Sequence, residues 1–74
     1  MSYALTVMVI DRRSRKGLAG ERVKVYGGGE VKTNRNGLAT VISKNTSATI
    51  YVNGFKAYDG SVSRAPNPII YEKG

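Results

Sequence analysis

Four cations within five residues, Arg12-Arg13-Ser14-Arg15-Lys16, form the densest group of chemically able side chains in this sequence. Like charges this close repel one another, so the segment is expected to stand in water as a loop and to attract an anion such as phosphate or carboxylate. The same residues would also keep a small β-protein soluble and guard its edges. A second group is more widely spread. Arg22, Lys24 and Tyr26 recur at alternate positions, as do Thr49 and Tyr51, and then Lys56 and Tyr58. On strands, residues two apart share a face. Cations interleaved with flat rings suit single-stranded nucleic acid, because charge tracks the phosphates and rings stack on bases. Exposed Lys and Tyr are also ordinary cover for the outer face of a sheet.

Covalent and acid–base chemistry is poorly supplied. The chain has no Cys and no His, which removes thiolate nucleophiles, disulfides, the usual zinc sites and the commonest general base. The five carboxylates, Asp11, Glu21, Glu30, Asp59 and Glu72, are far apart in sequence. Ser14 and Lys16 could form a Ser–Lys pair, but in a polar loop the lysine keeps its proton. Gly27-Gly28-Gly29 joins strand candidates and lacks the Lys-Ser/Thr signature and following helix of a phosphate loop. Asn45-Thr46-Ser47 matches a glycosylation sequon, a short pattern that matters only in a secretory setting. The expectation is a non-enzymatic protein without metal or cofactor.

Twelve Lys and Arg against five Asp and Glu give a net charge of +7, which favours nucleic acid, anionic surfaces or acidic proteins as partners. At 41% hydrophobic and 23% charged residues, the composition is that of a globular domain and not of a disordered tail. The 74 residues allow a single domain, 1–74, that buries about 60% of its unfolded surface in a thin two-layer core. Ala4 to Ile10 is the longest apolar stretch, interrupted by Thr6. It has no basic segment before it and no small-residue cleavage site after it, and is too short to span a bilayer. If the chain is complete, that reading places it in the cytoplasm.

The elements that must position these groups read as strands. Tyr3 to Asp11 is rich in Val, Leu, Ile and Thr, and is expected to be buried on both faces at its centre. Arg22 to Tyr26 alternates, with Val23 and Val25 inward. Glu30 to Thr33 is a short strand, and Asn34-Arg35-Asn36-Gly37 is a tight turn. Leu38 to Ser43 follows with Ala39 and Val41 on one face, and then a turn at Lys44-Asn45-Thr46. Ala48, Ile50 and Val52 alternate with Thr49 and Tyr51, and Asn53-Gly54 turns into a strand from Phe55 to Tyr58, which runs on to Asp59-Gly60. A last strand, Ile69-Ile70-Tyr71, is entered through Pro66 and Pro68, which suits an edge. Six or seven short strands with Gly/Asn turns and no amphipathic helix indicate an all-β antiparallel sandwich or small barrel.

Several fragments taken in order carry a family likeness. Val7-Met8-Val9-Ile10-Asp11 is followed by a loop through Gly17, Leu18-Ala19-Gly20, Val23-Lys24-Val25, and Thr33-Asn34-Arg35-Asn36-Gly37-Leu38-Ala39-Thr40-Val41. Ile50-Tyr51-Val52-Asn53-Gly54 comes last. Over roughly residues 5–58 this resembles the carboxypeptidase regulatory-like domains, which are transthyretin-like Greek-key β-sandwiches. Asn34 stands where that family usually has Asp, so the side-chain turn bond carries over but a cation ligand does not. The resemblance implies a prealbumin-like fold and a binding or structural module without catalytic residues. Asp11, Gly20, Asn34, Asn36, Gly37 and Gly54 would be its turn-forming scaffold. The expected partner is a protein or carbohydrate, held by loops or a strand edge. A nucleic acid or other polyanion on Arg12, Arg13, Arg15, Lys16, Arg22, Lys24, Tyr26 and Tyr51 is the alternative, and edge strands could also pair two copies.

Overall fold

The computed structural model describes residues 2–74. Seven strands follow one another: β1 (Tyr3–Asp11), β2 (Arg22–Val25), β3 (Glu30–Lys32), β4 (Leu38–Ser43), β5 (Ser47–Val52), β6 (Phe55–Ser61) and β7 (Ile69–Lys73). A single turn of 3-10 helix, Val62–Arg64, links the last two. The strands form two layers, β4-β1-β7 and β3-β2-β5-β6, and the chain passes between them in a Greek-key order. This is a small all-β sandwich. Among the described residues no helix is long and apolar enough to cross a membrane.

Period-two patterning explains the core. Leu5, Val7 and Val9 of β1, with Ala39 and Val41 of β4 and Ile69 of β7, face Val23 and Val25 of β2 and Ala48, Ile50 and Val52 of β5 across the sandwich, all buried. These side chains are mostly β-branched, which fits a pleated surface and fills a thin layer without long rotamers. Among the described residues Thr33 and Ser43 are the buried polar ones, and both are satisfied. The Thr33 hydroxyl donates to the Leu18 carbonyl at 2.5 Å and accepts from the Glu21 amide at 2.9 Å, which ties the long β1–β2 connection to the end of β3.

Three local expectations change. The sheets are antiparallel except for β1–β7, which pairs parallel from Val7↔Ile69 to Asp11↔Lys73. The chain reaches β7 through the 3-10 turn and Pro66–Pro68, which carry it from the four-stranded layer to the three-stranded one. The outer face of β1 is also less covered than its composition suggests: Thr6 and Met8 are half-buried, and only Ile10 is buried on that side. This face meets water at its middle, and there the Thr6 and Thr40 hydroxyls bond to each other across the sheet at 3.1 Å. Finally, Tyr58 points inward, whereas Lys56 points out. Register passes from Ile50↔Tyr58 directly to Tyr51↔Lys56, leaving Ala57 as a bulge that reverses the alternation.

Candidate anion-binding surfaces

The basic segment begins where β1 ends. Asp11 Oδ2 accepts from the Ser14 amide at 2.8 Å and the Arg13 amide at 3.1 Å, so the strand closes into a turn on its own carboxylate. The Ser14 amide, then the Ser14 hydroxyl and the Arg13 amide, hold the Asp11 carboxyl below its usual value. Backbone bonds from Arg15 to the Asp11 carbonyl and from Asp11 to the Lys16 carbonyl complete a compact loop, with Arg15 in the left-handed region at φ 64°. The loop is therefore held, not loose. Arg15 forms an ion pair with Glu72 on β7, which removes one of the four expected free cations. Arg12, Arg13 and Lys16 remain exposed and without an ion-pair partner among the described residues.

The second group lies on the other layer. Register places Lys24 beside Tyr51, and Tyr51 beside Lys56, so that one row crosses β2, β5 and β6. At the usual strand spacing the row spans about 10 Å. Arg22 stands next along β2, opposite Lys32 of β3, and its amide is fixed by Asn53 Oδ1 at 3.0 Å. Tyr26 continues the same face and is 76% exposed. Arg22, Lys24, Glu30, Tyr51, Asn53 and Gly54 line a shallow open depression there. Two carboxylates temper the charge: Glu30 sits opposite Lys24, and Asp59 pairs with Lys56 at 3.6 Å while accepting from the Thr49 hydroxyl. Arg22, Lys24 and Lys32 have no carboxylate within ion-pair distance among the described residues.

These are two surfaces. All the loop's bonds go to β1, β7 and itself, at the end of the three-stranded layer. Arg22, Lys24, Tyr26 and Tyr51 occupy the outer face of the four-stranded layer.

The turn residues have identifiable tasks. Asn34 Oδ1 accepts from the amides of Asn36 at 2.9 Å and Leu38 at 3.1 Å, the bond pattern an Asp would also make. Asn53 and Gly54 both have positive φ, 51° and 88°, as a two-residue hairpin of matching twist requires. Gly20 has φ 75° where the Thr33 carbonyl receives its amide. Gly37 is packed against the β1–β2 connection.

Ion pairs between distant segments were not readable beforehand. Lys73 meets Glu21 at 2.5 Å and Arg15 meets Glu72, both linking the β1–β2 connection to β7. Charge signs alone do not reveal them, because β7 reaches β1 only through the unexpected parallel pairing. Among the described residues no group of acidic side chains could hold a metal ion. Comparison with protein-family models, curated proteins and solved structures finds no match to this chain.

Proposed function

We propose that this chain is a non-enzymatic interaction module, similar to the carboxypeptidase regulatory-like domains, that holds an anionic partner on the outer face of β3-β2-β5-β6. The row Lys24–Tyr51–Lys56 carries this reading, with Arg22, Lys32 and Tyr26 extending it. Cations on a rigid sheet present charge at fixed spacing, and Tyr51 between them offers a flat surface at little entropic cost.

A second reading follows from the same row: a small protein for single-stranded nucleic acid, with Tyr26 and Tyr51 stacking on bases and Arg22 and Lys24 tracking phosphates. Fluorescence polarisation with labelled random single- and double-stranded DNA, at about 50 and about 200 mM salt, separates the two. Micromolar binding that survives the higher salt, prefers single strands and weakens in Tyr51→Ala supports nucleic acid. Binding that vanishes with salt and ignores Tyr51 leaves a basic face for acidic proteins. The same assay on an acidic peptide, with no weakening in Lys24→Ser, would remove the face from the account.

A further inference from the structure

The edges of the sandwich are unequally guarded. β3 carries Glu30 and Lys32, β6 is bulged and carries Lys56 and Asp59, and β7 follows Pro66 and Pro68 and ends in Glu72 and Lys73. β4, Leu38–Ser43, contains no charge, no proline and no bulge, and pairs on one side only. Its hydrogen-bond phase is fixed by the Val9 amide, which donates to the Gly37 carbonyl at 2.8 Å. Ala39 and Val41 therefore bond to β1, whereas Leu38, Thr40 and Ile42 direct their amides and carbonyls to the open side. Asn34 takes both groups of Leu38, through its side chain at 3.1 Å and its amide at 2.9 Å. Thr40 and Ile42 have no such partner among the described residues. Two amides and two carbonyls thus form an open ladder beside Ile42, 51% exposed.

Charge states what can lie there. Arg35 stands in the turn before β4 and Lys44 directly after it, both exposed and without an ion-pair partner among the described residues. We infer that β4 accepts an added strand from a partner polypeptide, an extended segment apolar at alternate positions and acidic at both ends. A second copy of this chain fits less well. The antiparallel register that satisfies all four groups sets Thr40 of one copy opposite Ile42 of the other, and so Leu38 opposite Lys44. Lys44 then lies twice beside the turn that bears Arg35, like charge against like.

The inference rests on the reading of the chain as an interaction module, but uses a different layer from the Lys24–Tyr51–Lys56 row. Its test is amide exchange followed by NMR on the whole protein, with the peptide acetyl-Asp-Glu-Val-Thr-Val-Thr-Val-Glu-Asp-amide as probe. Exchange at Thr40 and Ile42 should slow by about tenfold or more on saturation, while Ala39 and Val41 stay as they were. Ile42→Lys, an exposed change that keeps β1–β4 intact, should abolish the effect. No slowing at millimolar peptide overturns the inference. Equal slowing by the same peptide with Lys at both ends overturns its charge argument. Thr40 and Ile42 amides already protected in the free protein, with a doubled mass in sedimentation, would assign the edge to a second copy instead. Loss of DNA or acidic-peptide binding in Lys24→Ser reports on the other face and leaves these exchange rates unchanged.

Discussion

Gly17 and Gly37 meet backbone to backbone: a side-chain carbon on Gly37 would lie 2.8 Å from the Gly17 Cα, and would also run into the Val9 carbonyl. The β1–β2 connection and the β3–β4 turn are therefore packed without side chains between them, which lets Val9 donate to the Gly37 carbonyl and Leu18 donate to that of Val9. The contact holds both layers at the end where the basic loop emerges.

Gly37→Ala should therefore be among the most destabilising single changes. Gly37 has φ 83°, costly for any residue with a Cβ, and the new methyl meets only backbone. The strain and overlap together should cost about 3 kcal/mol or more, seen as a lower urea midpoint. Gly20→Ala is the comparison: it shares the positive φ but meets nothing within 4 Å, so its cost should be about 1 kcal/mol. Equal costs for the two would remove the packing argument.

Asp11 gives a pH dependence of known sign. Its carboxyl is held below the ordinary value by the Ser14 and Arg13 amides, so the folded state binds a proton less readily than the unfolded chain. Its contribution is present above the unfolded value, about pH 3.9, and is lost as pH falls through the lower folded one. Stability measured from pH 6 to pH 2 should fall in that window, and Asp11→Asn should flatten the curve. An unchanged slope in that variant would assign acid sensitivity to another carboxylate.

Arg15 and Glu72 bring distant segments together but stand in water, with side chains 61% and 41% exposed. Glu72→Gln should change stability by no more than about 1 kcal/mol, because solvent screens such a pair. It also frees Arg15 and raises the net charge by one, so affinity for a polyanion at low salt should rise. If polarisation shows no rise, the loop takes no part in anion capture.

The strands and the core were legible in the sequence because alternation is a local signal. Val23, Val25, Ala39, Val41, Ala48, Ile50 and Val52 all face inward as their spacing requires. Asn34-Arg35-Asn36-Gly37 and Asn53-Gly54 were legible for a similar reason, since Asn and Gly report backbone geometry directly. What the pattern did not contain was non-local. The parallel partner of β1, the pairing of Arg15 with Glu72, and the separation of the two basic groups onto different layers all depend on which strand lies beside which. The open β4 edge needs the same knowledge, because an uncharged Leu-Ala-Thr-Val-Ile-Ser run reads equally well as a central strand.

The Ala57 bulge separates two tyrosines that simple alternation would treat alike. Tyr51 points outward between Lys24 and Lys56, whereas Tyr58 packs against the core and its hydroxyl donates to the Ser61 carbonyl at 2.6 Å. Tyr58→Phe should cost about 1 kcal/mol, because it leaves that half-buried carbonyl without its donor, and Tyr58→Ala about 3 kcal/mol, because it adds a cavity. Tyr51→Ala should cost less than Tyr58→Ala, since Tyr51 lies on the outer face and does not pack against the core, and should act instead on ligand affinity at unchanged charge. Urea titration of the three variants, with polarisation at fixed salt, reads both quantities. A Tyr51→Ala protein as unstable as Tyr58→Ala would mean that the ring braces the sheet and presents no surface to a partner. If deleting Ala57 instead left stability and Tyr58 packing intact, the alternation would have another cause than the bulge.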